Sequence, residues 1–471
     1  VTTRGRLLTE VAVVAALHAL AFVVVRALGF EHVSDDDFAR VTIAQSFAHA
    51  PKLDPSGTSW LPFPFWALGS VMLAFGRSLS VARTASIGFA SAAAVLPYAA
   101  LRMTGASRRA AMVALAFATL SPWSLWLGAA TVPESFTASF TASAVIALGS
   151  LRGPRLPLGA RIGFALALVA ACLSRYEPWP VAAVLAVVLA LRGVRGGDRA
   201  DGGADHAGGD AEGDHAGGGG DHAYGGRQDL ALAALVAAGP LLWMAWNGHA
   251  HGDALHFFQR VARFKRALGE APVSTVDALL LYPRLFVTRR PDIVLALALA
   301  FTGGHVFVKS RAEVRAAWLV PLACAAAEIA FLAYGNARDG APAHHAERAL
   351  LGVMFITAMF AVDVLVLAAP AALARARVPA LAAGGVVVAA WLASGFAGVR
   401  DVPGSGPAED RSAQISLGSA LRADDVANLE VTPCAYEHFA LVAAFAAPEK
   451  VAILPRTDAP VTASCPAVER R

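Results

Sequence analysis

LLTEVAVVAALHALAFVVVRALGFEHVSDDDFAR, residues 7–40, decides the fold: an apolar run leads directly into three consecutive carboxylates, Asp35, Asp36 and Asp37. A helix needs about 20 apolar residues to cross a hydrocarbon layer roughly 30 Å thick, and residues 7–29 supply them. Arg4 and Arg6 precede the run, as they would in a secretory leader. No small-residue cleavage site precedes the acidic loop, so the segment is read as a retained span. The triplet then stands just outside the hydrocarbon, where solvated charge is cheap, and holds negative charge at a membrane surface.

The same apolar pattern recurs along the chain. Of 471 residues 56% are hydrophobic and 16% charged, with a mean hydropathy of +0.55; soluble domains carry about 25% charge. These values exclude a string of soluble domains and predict an all-α polytopic membrane bundle. Spans are expected near 7–29, 84–103, 110–128, 136–151, 162–175, 178–191, 229–246, 293–308, 316–334, 349–369 and 378–397, about eleven transmembrane helices. A net charge of +4 and a pI near 9.0 do not point to nucleic acid. The basic residues fall in short clusters between apolar runs, where they act as topology signals.

The run from Trp60 to Gly76 sets the orientation. Counted as a span, it puts Arg102, Arg108, Arg109, Arg152, Arg155 and Arg161 all outside, against the positive-inside bias. Counted as a helix in the outer interface, with Trp60 and Trp66 at headgroup level, it removes the conflict. Arg4 with Arg6 and the clusters at 102–109, 152–161, 192–227, 309–315 and 375–377 then all face the cytoplasm. The N-terminus is expected inside and the C-terminus outside.

Residues 1–399 form the expected transmembrane domain. Within it residues 196–226, GGDRADGGADHAGGDAEGDHAGGGGDHAYGG, cannot bury enough apolar area to offset their ordering entropy and are expected as a disordered cytoplasmic loop. Its Asp205/His206, Asp214/His215 and Asp221/His222 pairs lack a rigid frame to set metal geometry. Residues 400–471 turn mixed in composition, with a helix-like Ala435–Ala447 and a strand-like KVAILP. They are expected as a small external α+β appendage. An outer compartment permits a Cys434–Cys465 disulfide there, while Cys172 and Cys324 sit in apolar spans as packing residues.

With this orientation the polar external segments share one face: Asp35–Arg40, Arg83, Glu134, RYEPWP at 175–180, 247–292 and 335–348. SDDDFARVTIAQSFA, GTSWLPFPFWALG and the VARTAS entry to the next span together resemble the GT-C glycosyltransferases, a polytopic superfamily that uses lipid-phosphate sugars. The resemblance implies a GT-C-like bundle in a bacterial inner membrane, an acidic motif in the first external loop, and Asp35 with Asp36 as the acidic pair ahead of the aromatic Phe38. Asp37 extends that pair to a triplet. TVPES and SRYEPW add Glu134 and Glu177 by analogy, and HHAERALLG, with His345 and Arg348, is similar to an arginine-containing entry into a late span.

The chemistry this implies is transfer of a sugar from a polyprenyl-phosphate donor to a hydroxyl on a lipid, glycan or protein acceptor, in or on the bilayer and periplasmic face. The leaving group is already a phosphate. The acceptor hydroxyl must lose its proton, and a carboxylate at Asp35 or Asp36 supplies the base. The departing phosphate calls for guanidinium groups, with Arg83, Arg175 and Arg348 as candidates. Clustered carboxylates also suit a hard divalent cation, Mg2+ or Mn2+, without demanding one.

Plainer readings stand beside these. One of the three aspartates is expected to serve the N-terminus of a helix. Glu134, after Pro133, can simply begin a helix; Arg175 and Glu177 can pair to shape a loop; Arg83 and Arg348 can anchor in the interface. A multi-span transporter or lipid flippase is the non-enzyme alternative. It would place polar groups at mid-bilayer in repeated halves, whereas here, apart from Glu328 and Asp363, the polar groups gather at one face and no halves repeat. A membrane scaffold with a sensing C-terminal domain is the third.

Overall fold

The computed structural model describes residues 3–152, 156–201, 219–267, 274–308, 311–338, 346–400, 409–433, 435–454 and 467–470. The helices in chain order are α1 (Thr3–Ala27), α2 (Asp36–His49), α3 (Phe63–Phe75), α4 (Leu79–Met103), α5 (Arg108–Thr119) and α6 (Pro122–Ala129). Next come α7 (Glu134–Gly149), α8 (Leu158–Cys172), α9 (Pro178–Asp201), α10 (Gly219–His251), α11 (His256–Ala267) and α12 (Thr275–Arg289). The last six are α13 (Pro291–Phe307), α14 (Arg311–Ala337), α15 (Leu351–Arg375), α16 (Arg377–Arg400), α17 (Ser412–Ala423) and α18 (His438–Phe445). Three short strands, β1 (Leu429–Thr432), β2 (Val451–Ile453) and β3 (Ala467–Arg470), form one sheet in the order β2-β1-β3.

Among the described residues seven helices are long and apolar enough to cross a membrane, or eight if one bent pair counts as a single span. Eleven is therefore not reached by length. The expected span at 110–128 is broken, with α5 and α6 meeting at a 77° bend. Ser121 accepts from the Ser124 amide and Pro122 opens α6, a helix start that interrupts the apolar run. α3, α8 and α13 have 13, 15 and 17 residues. At about 1.5 Å per residue each falls short of a roughly 30 Å layer, which agrees with keeping 60–76 out of the span count. α9 runs on to Asp201 and α10 starts at Gly219, so the flanks of the expected 196–226 loop are helical; residues 202–218 lie outside the described set, as do Cys434 and Cys465.

The chain forms two compact units whose boundary does not follow a cut at residue 399. The first comprises Val1–Val95, Thr119–Phe136 and Ala393–Arg471; the second comprises Leu96–Ala118 and Thr137–Leu392. In the first, α2, α3, the start of α4 and α18 close around Phe38, Val41, Ala44, Met72, Ala82 and Ala443. Gly69 lets α3 lie against α2, since a Cβ there would stand 2.9 Å from the Ala44 carbonyl oxygen. A neighbouring core of Leu421, Leu429, Val431, Leu441 and Phe445 joins α17, α18 and the sheet. In that sheet Leu429 pairs with Val451 in parallel and with Arg470 in antiparallel register. Within α1, buried His18 places Nε2 2.8 Å from the Thr119 hydroxyl, so a polar group inside the span has its partner.

In the second unit α15 is enclosed, with every residue from Leu351 to Val364 buried. The polar contacts of this unit fall in two sets. At one end Arg152 donates to Asp363 at 2.8 Å, Trp318 donates to the same carboxylate at 2.9 Å, and Arg192 donates to the Leu148 and Gly149 carbonyls at 2.8 Å each. Arg161 pairs with Asp229 there. At the other end lie Arg175 with Glu177, Asn336 on the Ala278 carbonyl, and Arg289 near Glu347.

Candidate functional site

The acidic triplet begins α2, where carboxylates complement unpaired amides and the helix dipole. Its three members are held differently. Asp35 occupies the N-cap position but makes no side-chain cap bond. Both its oxygens accept from Arg411, Nε at 2.7 Å and Nη2 at 2.9 Å, a two-pronged charge-assisted contact that holds the guanidinium above its ordinary pKa. His32 Nε2, 3.0 Å from the Glu409 carbonyl oxygen, ties the same C-terminal segment to the loop a second time.

Asp37 is 2% exposed. Its Oδ2 accepts from the backbone amides of Val33 and Ser34 at 3.1 and 3.2 Å, and its Oδ1 accepts from the Thr131 amide at 3.1 Å. The Thr131 hydroxyl donates to the Asp37 carbonyl at 2.9 Å. Asp37 thus reaches back to amides that precede α2 and across to Thr131, tying the loop to the helix start, while Asp35 at the N-cap position turns its carboxylate to Arg411. Asp36, between the two, is half-buried in the first turn.

Two arginines stand at the ends of candidate spanning helices of this unit. Arg26 lies in the last turn of α1 and donates to the Glu31 carbonyl at 2.5 Å. Arg83, in the second turn of α4, is 3.8 Å from the Glu31 carboxylate, beyond hydrogen-bond reach, and its buried Nη2 has no hydrogen-bond partner among the described residues. The Asp37 and Glu31 carboxylates are the anions whose fields reach both guanidinium groups. Arg40, one turn beyond Asp36 and on the same face of α2, is buried with its guanidinium 4.4 Å from the Trp60 ring centre. Glu134 starts α7 and is buried in the same unit.

The remaining candidates belong to the second unit. Glu177 accepts from Arg175 Nε at 3.0 Å and Nη2 at 2.5 Å, in the non-helical stretch between α8 and α9, so this pair shapes its loop. Tyr176 between them stacks on Phe257 with ring centres 4.8 Å apart. Arg348 is buried in a 3-10 turn, Ala346–Leu350, that leads into α15. His345 lies outside the described residues.

Sequence reading does not single out Arg411, which sits 376 positions from its partner. Arg40 is within its reach, through the spacing of four from Asp36. Among the described residues no group of three or more His, Cys, Asp or Glu side chains is placed to hold a metal ion.

No family model matches the chain, and no curated protein matches it. Among solved structures it is similar to the Archaeoglobus fulgidus oligosaccharyltransferase in complex with Zn and sulfate, at 14% identity and a TM-score of 0.46. The likeness covers 87% of this chain and 55% of that one, so the chain spans about half the length of its structural neighbour.

Proposed function

We propose that this chain is a membrane glycosyltransferase of the GT-C kind, moving a sugar from a polyprenyl-phosphate donor to an acceptor hydroxyl at the outer face of a bacterial inner membrane. The observation that carries the reading is the division of the acidic triplet. Asp35 is clamped by Arg411 and Asp37 by backbone amides, which fixes the loop and presents Asp36 on a rigid helix start.

In this scheme Asp36 takes the proton of the acceptor hydroxyl as its oxygen attacks the anomeric carbon. The bond from that carbon to the phosphate oxygen breaks, and the leaving phosphate gains charge. Arg83, whose Nη2 lacks an acceptor, receives it. Arg175 and Glu177, already paired, act as positioning residues for their loop, and Glu134 supports the start of α7. No step of this scheme is routed through a divalent cation, which clustered carboxylates would also suit. The bilayer supplies both reactants in the plane where the acidic loop lies.

The test is transfer by the full chain, reconstituted in lipid, from a panel of polyprenyl-phosphate sugars. Replacing both Asp35 and Asp36 with Asn lowers transfer by about 10²–10⁴-fold, with membrane insertion unchanged, and Arg83→Gln weakens it through donor use. Full activity in the double variant refutes the role. Solute uptake into liposomes without sugar transfer supports a transporter instead.

A further inference from the structure

We propose that the Arg152/Asp363 end of the second unit carries a binding site for an anionic glycerophospholipid, with the lipid phosphate on Arg375. Between the ends of α13, α14 and α15 lies an open cavity of about 540 Å³, within the size range of small-molecule sites. Phe307, Val308, Leu367 and Pro370 give it apolar walls, and Glu313 and Arg375 add the charged groups. Arg375 lies in the last turn of α15 and α14 begins at Arg311. The cavity thus sits at helix ends, where a spanning bundle passes from hydrocarbon to headgroups. Acyl carbons match the walls, and a phosphate matches the guanidinium.

Charge selects an anionic occupant over a neutral one. The arginines of this end fall into two classes. Arg152, Arg161 and Arg192 donate to Asp363, Asp229 and backbone carbonyls inside the unit. Arg315, Arg375 and Arg377 are exposed and have no hydrogen-bond or ion-pair partner among the described residues. Arginines without a protein partner at the ends of spanning helices attract anionic headgroups, and basic pockets between such helices on the cytoplasmic side hold them. The site is independent of the glycosyl-transfer reading and needs only that the bundle lies in a membrane.

The experiment uses the full chain purified in neutral detergent. Phosphatidylglycerol and phosphatidylcholine are titrated in parallel, and bound lipid is followed by native mass spectrometry and by the melting midpoint. Phosphatidylglycerol should bind about 10-fold tighter or more, with a preference that shrinks as salt rises. Arg375→Glu should abolish that preference without moving the lipid-free midpoint, and Ala374→Trp, which fills the cavity, should weaken both lipids. Arg375→Gln replaces either variant that fails to fold. Equal binding of the two lipids, or a preference unchanged in the Arg375 variants, overturns the proposal. So does equal protection by inorganic phosphate alone, or a dimer that forms without lipid and is lost in Ala374→Trp.

Discussion

The foot of α2 and the corner between α12 and α13 each seat an arginine on an aspartate, yet the two pairs differ in every respect that matters. Arg290 and Asp292 are two residues apart, 5% and 0% exposed at their side chains, and bonded at 2.9–3.2 Å. Arg290 also donates to the Phe117 carbonyl at 3.1 Å. Asp35 and Arg411 are 376 residues apart and 22% and 13% exposed. The first is a local staple whose break leaves a buried charge. The second closes a long loop at low intrinsic strength and brings the C-terminal segment onto the acidic motif. Depth measures stability, and sequence separation marks where distant parts of the chain are joined.

That contrast can be broken by substitution. Asp292→Asn should have the largest effect on stability, about 3–5 kcal/mol, because it leaves Arg290 buried and unpaired; thermal unfolding reads it, and a shift no larger than that of Arg411→Gln removes the contrast. Asp37→Ala comes next. It strips acceptors from the Val33, Ser34 and Thr131 amides and should cost about 1–3 kcal/mol. Arg411→Gln should cost no more than about 1 kcal/mol, as expected for a partly exposed pair, with Arg411→Lys recovering part of it. Acid should have the smallest effect. Burial holds the His438 imidazole below its ordinary value, so as pH falls through about 6.5 the unfolded chain takes up the proton first and stability declines until the folded-state value is passed. Melting midpoints measured across pH should show this slope flattened in His438→Gln.

Much of the helical framework is legible in the sequence because long apolar runs such as 7–29 and 349–369 have few other solutions in lipid. The acidic motif is equally plain, since three adjacent carboxylates stand out against 16% charge. The break between α5 and α6 is written locally in Ser121 and Pro122, but a hydropathy window averages across it. The allocation of roles within the triplet is not local at all. Thr131 and Arg411 decide it from 94 and 376 positions away, and no periodicity encodes such pairings. At the edges of 196–226 glycine-rich composition hides helical flanks that continue α9 and α10, while residues 202–218 lie outside the described set.

The most direct test replaces each aspartate singly with asparagine and follows transfer and melting on the same preparations. Asp36→Asn should lose transfer while melting like the native chain, whereas Asp37→Asn should melt earlier. Asp35→Asn should behave like Arg411→Gln. Undiminished transfer by Asp36→Asn would contradict the division of the triplet on which the proposed function stands.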